Sequence, residues 1–318
     1  MSHERPVAPF SDLHVNDHHV RAVLMHDPTV EGLDMAIYVD GSGSMEDEYQ
    51  PRTRVTGGFW KRLFGKGVVE HLPNIVEPEV QRMLGYLATK DRNGTLRVAY
   101  WATGQHGDQI EDLGELTGAN AASYGFEGPK TMGGQTVLVP AMRDFVAYMK
   151  QQASRGARQG CAVFITDGQL HDGDAVTKYA GEIAKQIVQG RLPRMNFILV
   201  GVGGSIDEEQ MERICHHEYP GIGHLWCHRV AAEVKDLPEL VAVLVDETMT
   251  VAAGGTIWDD RGNAVKVYEA RLPAVLEFEV PEGCKSFTLE VNGQRFTQPM
   301  PEDDEHHGEE EDHDDDHH

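Results

Sequence analysis

Long apolar runs are missing from this chain. None of its 318 residues falls in a stretch near the roughly 20 apolar residues that a membrane-spanning helix needs, so no membrane insertion is expected. Residues 1–9 have no apolar core, and no signal peptide is visible. Cysteine is scarce: Cys161, Cys215, Cys227 and Cys284 are all there are, and no two form a Cys-x-x-Cys pair. A reducing cytoplasm is the simplest setting for such usage. Positive charge is also short, with 28 Lys and Arg against 52 Asp and Glu, a net charge of −24. A surface that acidic repels nucleic acid and anionic membrane, which argues against nucleic-acid binding. No Gly-x-Ser-x-Gly elbow and no phosphate loop occurs, and Gly201-Val202-Gly203-Gly204 lacks the third glycine of a dinucleotide turn.

What is present is organised around Met35–Met45. Ile37, Tyr38 and Val39 lead into Asp40-Gly41-Ser42-Gly43-Ser44. The short apolar run reads as a buried parallel strand, and the glycines let the chain turn sharply at its carboxyl end. In open α/β sheets that edge is where ligands sit. One carboxylate and two hydroxyls there are oxygen donors suited to a hard cation such as Mg²⁺. Two later pieces belong with them. Gly133-Gly134-Gln135-Thr136 precedes Pro140 and a helical pattern, and Val163-Phe164-Ile165-Thr166-Asp167-Gly168 is a second buried strand ending in Thr-Asp-Gly.

Asp40-x-Ser42-x-Ser44, then Thr136, then Asp167, in that chain order, resembles the metal-ion-dependent adhesion site of von Willebrand factor A domains. The resemblance covers residues 30–252. It implies a doubly wound, mainly parallel α/β sheet flanked by helices. It also implies that Asp40, Ser42, Ser44, Thr136 and Asp167 hold Mg²⁺, or Mn²⁺ or Ca²⁺, while an acidic side chain of a partner protein completes the coordination. The family usually has Gly-Gly-Thr; here Gln135 is inserted, and the spacing to Pro140 favours Thr136 over Thr131. Thr136-x-x-x-Pro140 and Phe164-Ile165-Thr166-Asp167-Gly168 are most similar to bacterial cytoplasmic members of the tellurium-resistance and general-stress group. The function this implies is Mg²⁺-dependent protein binding, without catalysis, in a stress or metal-response assembly. An adaptor of a MoxR- or chelatase-type AAA+ ATPase is a second expectation, and a metal-dependent hydrolase a third.

The rest of the chain divides on pattern. Residues 1–29, with five histidines among them, read as a loose arm with an edge strand at 20–25. Residues 46–69 are an insertion after the metal turn. In it Phe59, Trp60, Leu63 and Phe64 share one face of a short helix, and Trp60 and Phe64 are candidate partner contacts because interfaces favour aromatic residues. Alternating helical stripes and short apolar runs follow, with helices expected at 73–89, 137–151, 173–189 and 238–249 and another starting at Ser205. Strands are expected at 95–102, 109–113, 195–202 and 224–230. Cys215, His216, Cys227 and His228 fit no zinc spacing and read as core and surface residues. From 254 to 300 short alternating strands separated by turns such as Asn292-Gly293 predict a small antiparallel β module. It is too small to bury much core alone, and the amino-terminal arm can add a strand to it. Residues 301–318 carry eleven acids and no Lys or Arg, a composition that predicts disorder. His306, His307, His313, His317 and His318 there are candidate weak ligands for Ni²⁺, Zn²⁺ or Cu²⁺.

Overall fold

A computed structural model describes residues 6–16, 18–25, 32–56, 68–72, 74–203, 205–248, 250–252, 254–269 and 272–301. The expected helix around Trp60 and Phe64 and the histidine-rich tail lie outside the described residues. The chain divides into two compact units, residues 26–249 on the one hand and residues 1–25 with 250–318 on the other.

The first strands are β1 (Phe10–Asn16), β2 (His19–Leu24), β3 (Leu33–Asp40), β4 (Arg52–Thr56) and β5 (Val68–Leu72). Helix α1 (Val76–Lys90), β6 (Thr95–Thr103), β7 (Gln109–Thr117) and the single turn α2 (Gly118–Ala121) come next. Then follow α3 (Val139–Ala153), β8 (Gln159–Thr166), α4 (Gly173–Val188), β9 (Arg194–Val202), α5 (Glu208–Cys215), β10 (Trp226–Ala231) and α6 (Leu237–Thr248). The carboxyl-terminal strands are β11 (Thr250–Ala252), β12 (Gly255–Trp258), β13 (Ala264–Tyr268), β14 (Leu272–Pro273), β15 (Val275–Glu279), β16 (Ser286–Val291) and β17 (Gln294–Pro299).

In the larger unit six strands form one sheet in the order β10-β9-β8-β3-β6-β7. All neighbours run parallel except β7, an antiparallel edge strand. Every residue of β3 is buried, as a central strand covered on both faces requires. On one face Tyr38, Trp101, Phe164, Phe197 and Trp226 pack with Phe145 of α3 and with Ile183 and Ile214 of α4 and α5. Helices α1 and α6 pack against each other and against strands of the same sheet, and their stripes Val80, Met83, Leu84, Leu87 and Val241, Leu244, Val245 are buried. Asn74 starts α1: its side-chain oxygen accepts from the backbone N–H groups of Val76 at 3.0 Å and Glu77 at 2.8 Å, two of the donors a helix start leaves without partners. At the amino edge of the sheet the fully buried Asp34 carboxylate takes both Nε and Nη2 of Arg92, at 2.9 and 3.1 Å. The architecture is thus α/β with a mainly parallel sheet between helices. Because β3 has β8 on one side and β6 on the other, the strand order reverses beside it, and in open α/β sheets the carboxyl end of the strands at such a reversal is where ligands bind. β4 lies within the stretch expected as an insertion, 46–69, and β5 begins there and runs past it to Leu72; the two pair as an antiparallel ladder.

The smaller unit is antiparallel. A four-stranded sheet has the order β13-β12-β16-β17 and a three-stranded one the order β1-β2-β15. Phe287 meets Phe10 and Phe278 edge-on, with ring centroids 5.3 and 4.9 Å apart, and the core continues through Val20, Leu24, Ile257, Leu276 and Leu289. The amino-terminal segment, read from sequence as a loose arm with one strand, therefore contributes two, and β2 pairs with β15 in a continuous five-residue register.

Candidate metal centre

The five residues singled out from the sequence stand on three loops at the carboxyl edge of the parallel sheet. Asp40 ends β3. Its Oδ1 accepts the Ser42 backbone N–H at 2.7 Å, and its Oδ2 accepts the Thr166 hydroxyl at 2.6 Å. The Ser42 and Ser44 hydroxyls are 2.9 Å apart, and Ser44 Oγ donates to Asp167 Oδ1 at 2.7 Å. Four of the five are thus joined in one hydrogen-bonded chain. Thr136 joins them in space: a Cβ placed on Gly168 would stand 3.8 Å from Ser44 Oγ and 3.9 Å from Thr136 Oγ1. Asp40, Ser42 and Thr136 are buried, Asp167 is half-buried, and Ser44 is exposed, so the cluster is closed below and open to solvent above.

The backbone beneath is tightly set. Gly41 donates to the Trp101 carbonyl at 2.8 Å and accepts from Gly133 at 2.9 Å, while Gly43 donates to the Gly133 carbonyl at 2.8 Å. This short ladder holds the Asp40 loop against the Thr136 loop. Gly133 must lack a side chain, because a Cβ there would collide with the Ala102 carbonyl. Tyr49 reaches back from the metal turn, its hydroxyl donating to the Asp40 carbonyl oxygen at 2.6 Å.

Electrostatics follow from burial. Loss of water pushes the Asp40 carboxyl up to about 6, against the pull of its bonds from Thr166 and Ser42 and with a smaller push from the charge of Asp167. Asp167 is also raised by burial, with its bond from Ser44 working the other way. Asp167 further lines a hollow of about 410 Å³ walled by Glu48, Glu79, Glu233 and Lys235. The donor set fits a hard divalent cation: two carboxylates and three hydroxyls, all oxygen, in a place where negative charge is otherwise costly. Asp40, Ser42, Ser44, Thr136 and Asp167 would hold it.

Sequence reading passed over several supporting residues. Thr166 was visible within Thr-Asp-Gly, yet its bond to Asp40 was not. His171 and Asp172 hold the Thr136 loop: His171 Nδ1 accepts the Thr136 N–H at 3.0 Å, and the Asp172 carboxylate accepts those of Leu138 and Val139, each at 2.9 Å. Away from this centre, Cys215 is buried and the His216 and His228 rings lie 6.3 Å apart. Among the described residues no group of three or more His, Cys, Asp or Glu side chains can hold a metal, and no helix is long and apolar enough to cross a membrane.

No family model matches the chain, and no curated protein matches it. Among solved structures it is similar to the manganese-loaded TRAP protein of Plasmodium vivax, at 14% identity over 90% of this chain and 92% of that one, with a TM-score of 0.41. Human COPII-coat protein Sec24c aligns at 10% identity over 85% of this chain and 44% of its own length, with a TM-score of 0.38. The fold assignment rests on the strand order and helix placement described above.

Proposed function

We propose that the larger unit is a divalent-cation-dependent protein-binding module, with Mg²⁺ held by Asp40, Ser42, Ser44, Thr136 and Asp167 and an acidic side chain of a partner protein as the incoming ligand. The observation that carries this reading is the hydrogen-bonded chain from Asp40 through Ser42 and Ser44 to Asp167, open to solvent at Ser44. When bound, the cation supplies a positive centre that accepts a carboxylate. Three of the five protein donors are neutral hydroxyls, which leave the cation short of negative charge. Without it, an approaching carboxylate meets Asp40, Asp167 and the acids of the adjoining hollow, and is repelled. On this reading partner binding is cation-dependent, and the proposed role is that of a binder rather than an enzyme.

The setting proposed for it is a bacterial, cytoplasmic stress or metal-response assembly, following the motif resemblance to the tellurium-resistance group. Trp60 and Phe64, which leave the metal turn within the same insertion, are the proposed second contact for the partner. The test is capture from native lysate in Mg²⁺ and in EDTA, followed by titration of the protein captured. Capture that needs Mg²⁺ and is lost in Asp40→Ala and Asp167→Ala supports the reading. Capture that persists in excess EDTA sinks it. Truncating a buried aromatic anchor commonly costs about 2 kcal/mol or more. Trp60→Ala should accordingly weaken the same complex and leave Mg²⁺ affinity alone.

A further inference from the structure

We propose that His171 and Asp172 are positioning residues for the Thr136 side of the cation site, a role that rests on reading that site as a metal centre. Their two side chains accept three main-chain N–H groups of one short stretch: His171 Nδ1 takes that of Thr136, and the two Asp172 oxygens take those of Leu138 and Val139. The backbone replies, the His171 N–H donating to the Thr136 carbonyl at 2.9 Å. Thr136 is thus gripped through both its N–H and its C=O by a single residue.

The need for the grip is plain from the start of α3. Its first residue is Val139 and its cap position is Leu138, which offers no side-chain acceptor. A helix start leaves about four N–H groups without intrahelical partners, and here the acceptors come from another loop. The gripping loop is itself held. The Gln210 side chain accepts from the Leu170 N–H and donates to the Leu170 carbonyl, both at 2.8 Å, and Gln169 Nε2 donates to Asp207 at 2.9 Å. On the near side, the Gly133 ladder fixes the stretch three residues before Thr136. Gly134 and Gln135 between these anchors are exposed.

Backbone position translates into hydroxyl position because threonine is stiff at χ1. Holding the Thr136 N–H and C=O therefore aims Oγ1 at the space beside Gly168 and Ser44. By accepting at Nδ1 the His171 ring carries its proton on Nε2, and an asparagine amide oxygen can occupy a similar acceptor position. Removing a group that orients a metal ligand typically costs 10–100-fold in affinity.

The experiment is calorimetric titration of the full chain with MgCl₂ and with MnCl₂, beside thermal melts in EDTA. His171→Ala should bind about 10-fold more weakly, His171→Asn should recover most of that loss, and Asp172→Asn should lie between. In EDTA His171→Ala should melt below His171→Asn, because it leaves the buried Thr136 N–H without its side-chain acceptor. Affinities are therefore read well below both midpoints, where a positioning loss still separates the two variants and a merely structural one does not. A wild-type chain that takes up no divalent cation overturns the metal reading itself. Wild-type uptake with unchanged affinity in His171→Ala overturns the clamp alone, and so does equal weakening by His171→Asn and His171→Ala. Should His171→Ala fail to fold, Asp172→Asn decides: wild-type affinity in that variant also overturns the clamp.

Discussion

Replacing Asp40 by asparagine should stabilise the cation-free protein near neutral pH while abolishing cation binding. The Asp40 carboxyl is fully buried, and burial lifts it from the ordinary 3.8 to about 6. Each unit of such a shift corresponds to about 1.4 kcal/mol, so an ionised Asp40 costs the fold roughly 3 kcal/mol above pH 6. The direction follows from the proton count. Below the unfolded value both states carry the proton. Between 3.8 and about 6 the folded state holds a proton that the unfolded chain has released. Stability therefore falls as pH rises through that window and stays lowered above it. Asparagine is neutral throughout. Its oxygen can keep the bond from the Ser42 N–H, and the Thr166 hydroxyl can turn to accept from the new amide. Two charge-assisted bonds become neutral ones, which returns about 1 kcal/mol of the gain.

The net expectation is about 2 kcal/mol, or a rise of about 4–8 °C in the midpoint of a unit this size. Thermal melts in EDTA at pH 7.5 and pH 4 read it, followed by tryptophan fluorescence, since Trp101 and Trp226 are buried in this unit. The gain should appear at pH 7.5 and nearly vanish at pH 4. Mg²⁺ at 100 times its dissociation constant should then stabilise the wild-type chain by about 2.7 kcal/mol and leave the variant unmoved, reversing their order. A variant no more stable at pH 7.5 in EDTA, or equally favoured at both pH values, would show that the buried Asp40 charge does not cost the fold stability.

Ser42→Ala removes a neutral donor whose place a water can take, so Mg²⁺ affinity measured by calorimetry should fall less than in Asp40→Ala. Arg92→Met leaves the fully buried Asp34 carboxylate without its charged partner, and urea unfolding should show a loss of about 3–5 kcal/mol. Gly107→Ala forces an alanine into a φ of 65°, at about 1–2 kcal/mol. Its Cβ also drives into the Gln135 carbonyl, so both the melting midpoint and Mg²⁺ affinity should drop. Deleting residues 301–318 should remove Ni²⁺ and Zn²⁺ uptake in a calorimetric titration and leave Mg²⁺ uptake unchanged.

The parallel sheet was readable because its strands have a single signature. Ile37–Val39 and Val163–Ile165 are apolar at every position, as strands covered on both faces must be, and the helices between carry stripes at helical spacing. Boundaries moved for local reasons. The helix expected from Ser205 starts at Glu208, because the Asp207 side chain takes the cap by accepting the Gln210 N–H at 2.9 Å. The amino-terminal strands were harder. The β1 register with β2 shifts between Phe10 and Asp12, and a slip of that kind breaks the two-residue alternation that marks a strand. The pairing of β2 with β15, some 250 residues later in the chain, leaves no trace in local pattern at all.

The proposed metal centre divides in the same way. Residues that offer oxygens to a cation sit at fixed short spacings and can be recognised. Those that aim the oxygens act through backbone groups, which any acceptor of suitable reach can hold, and such contacts write no motif. His171 and Asp172 are of the second kind. They also bear on Gln135, which the motif resemblance reads as inserted between Gly-Gly and Thr. Gly133 is anchored to Gly41 and Gly43, and Thr136 is anchored to His171. An extra residue between two fixed points has to bulge, and Gly134 and Gln135 are both exposed. The bulge passes so close to Gly107 that a side chain there would strike the Gln135 main chain, and Gly107 adopts the left-handed conformation that glycine takes without penalty. Gly134 and Gln135 are thus the exposed part of a loop that is held at both ends. A donor set made largely of neutral hydroxyls depends on such placement, since it attracts its cation through geometry more than through charge.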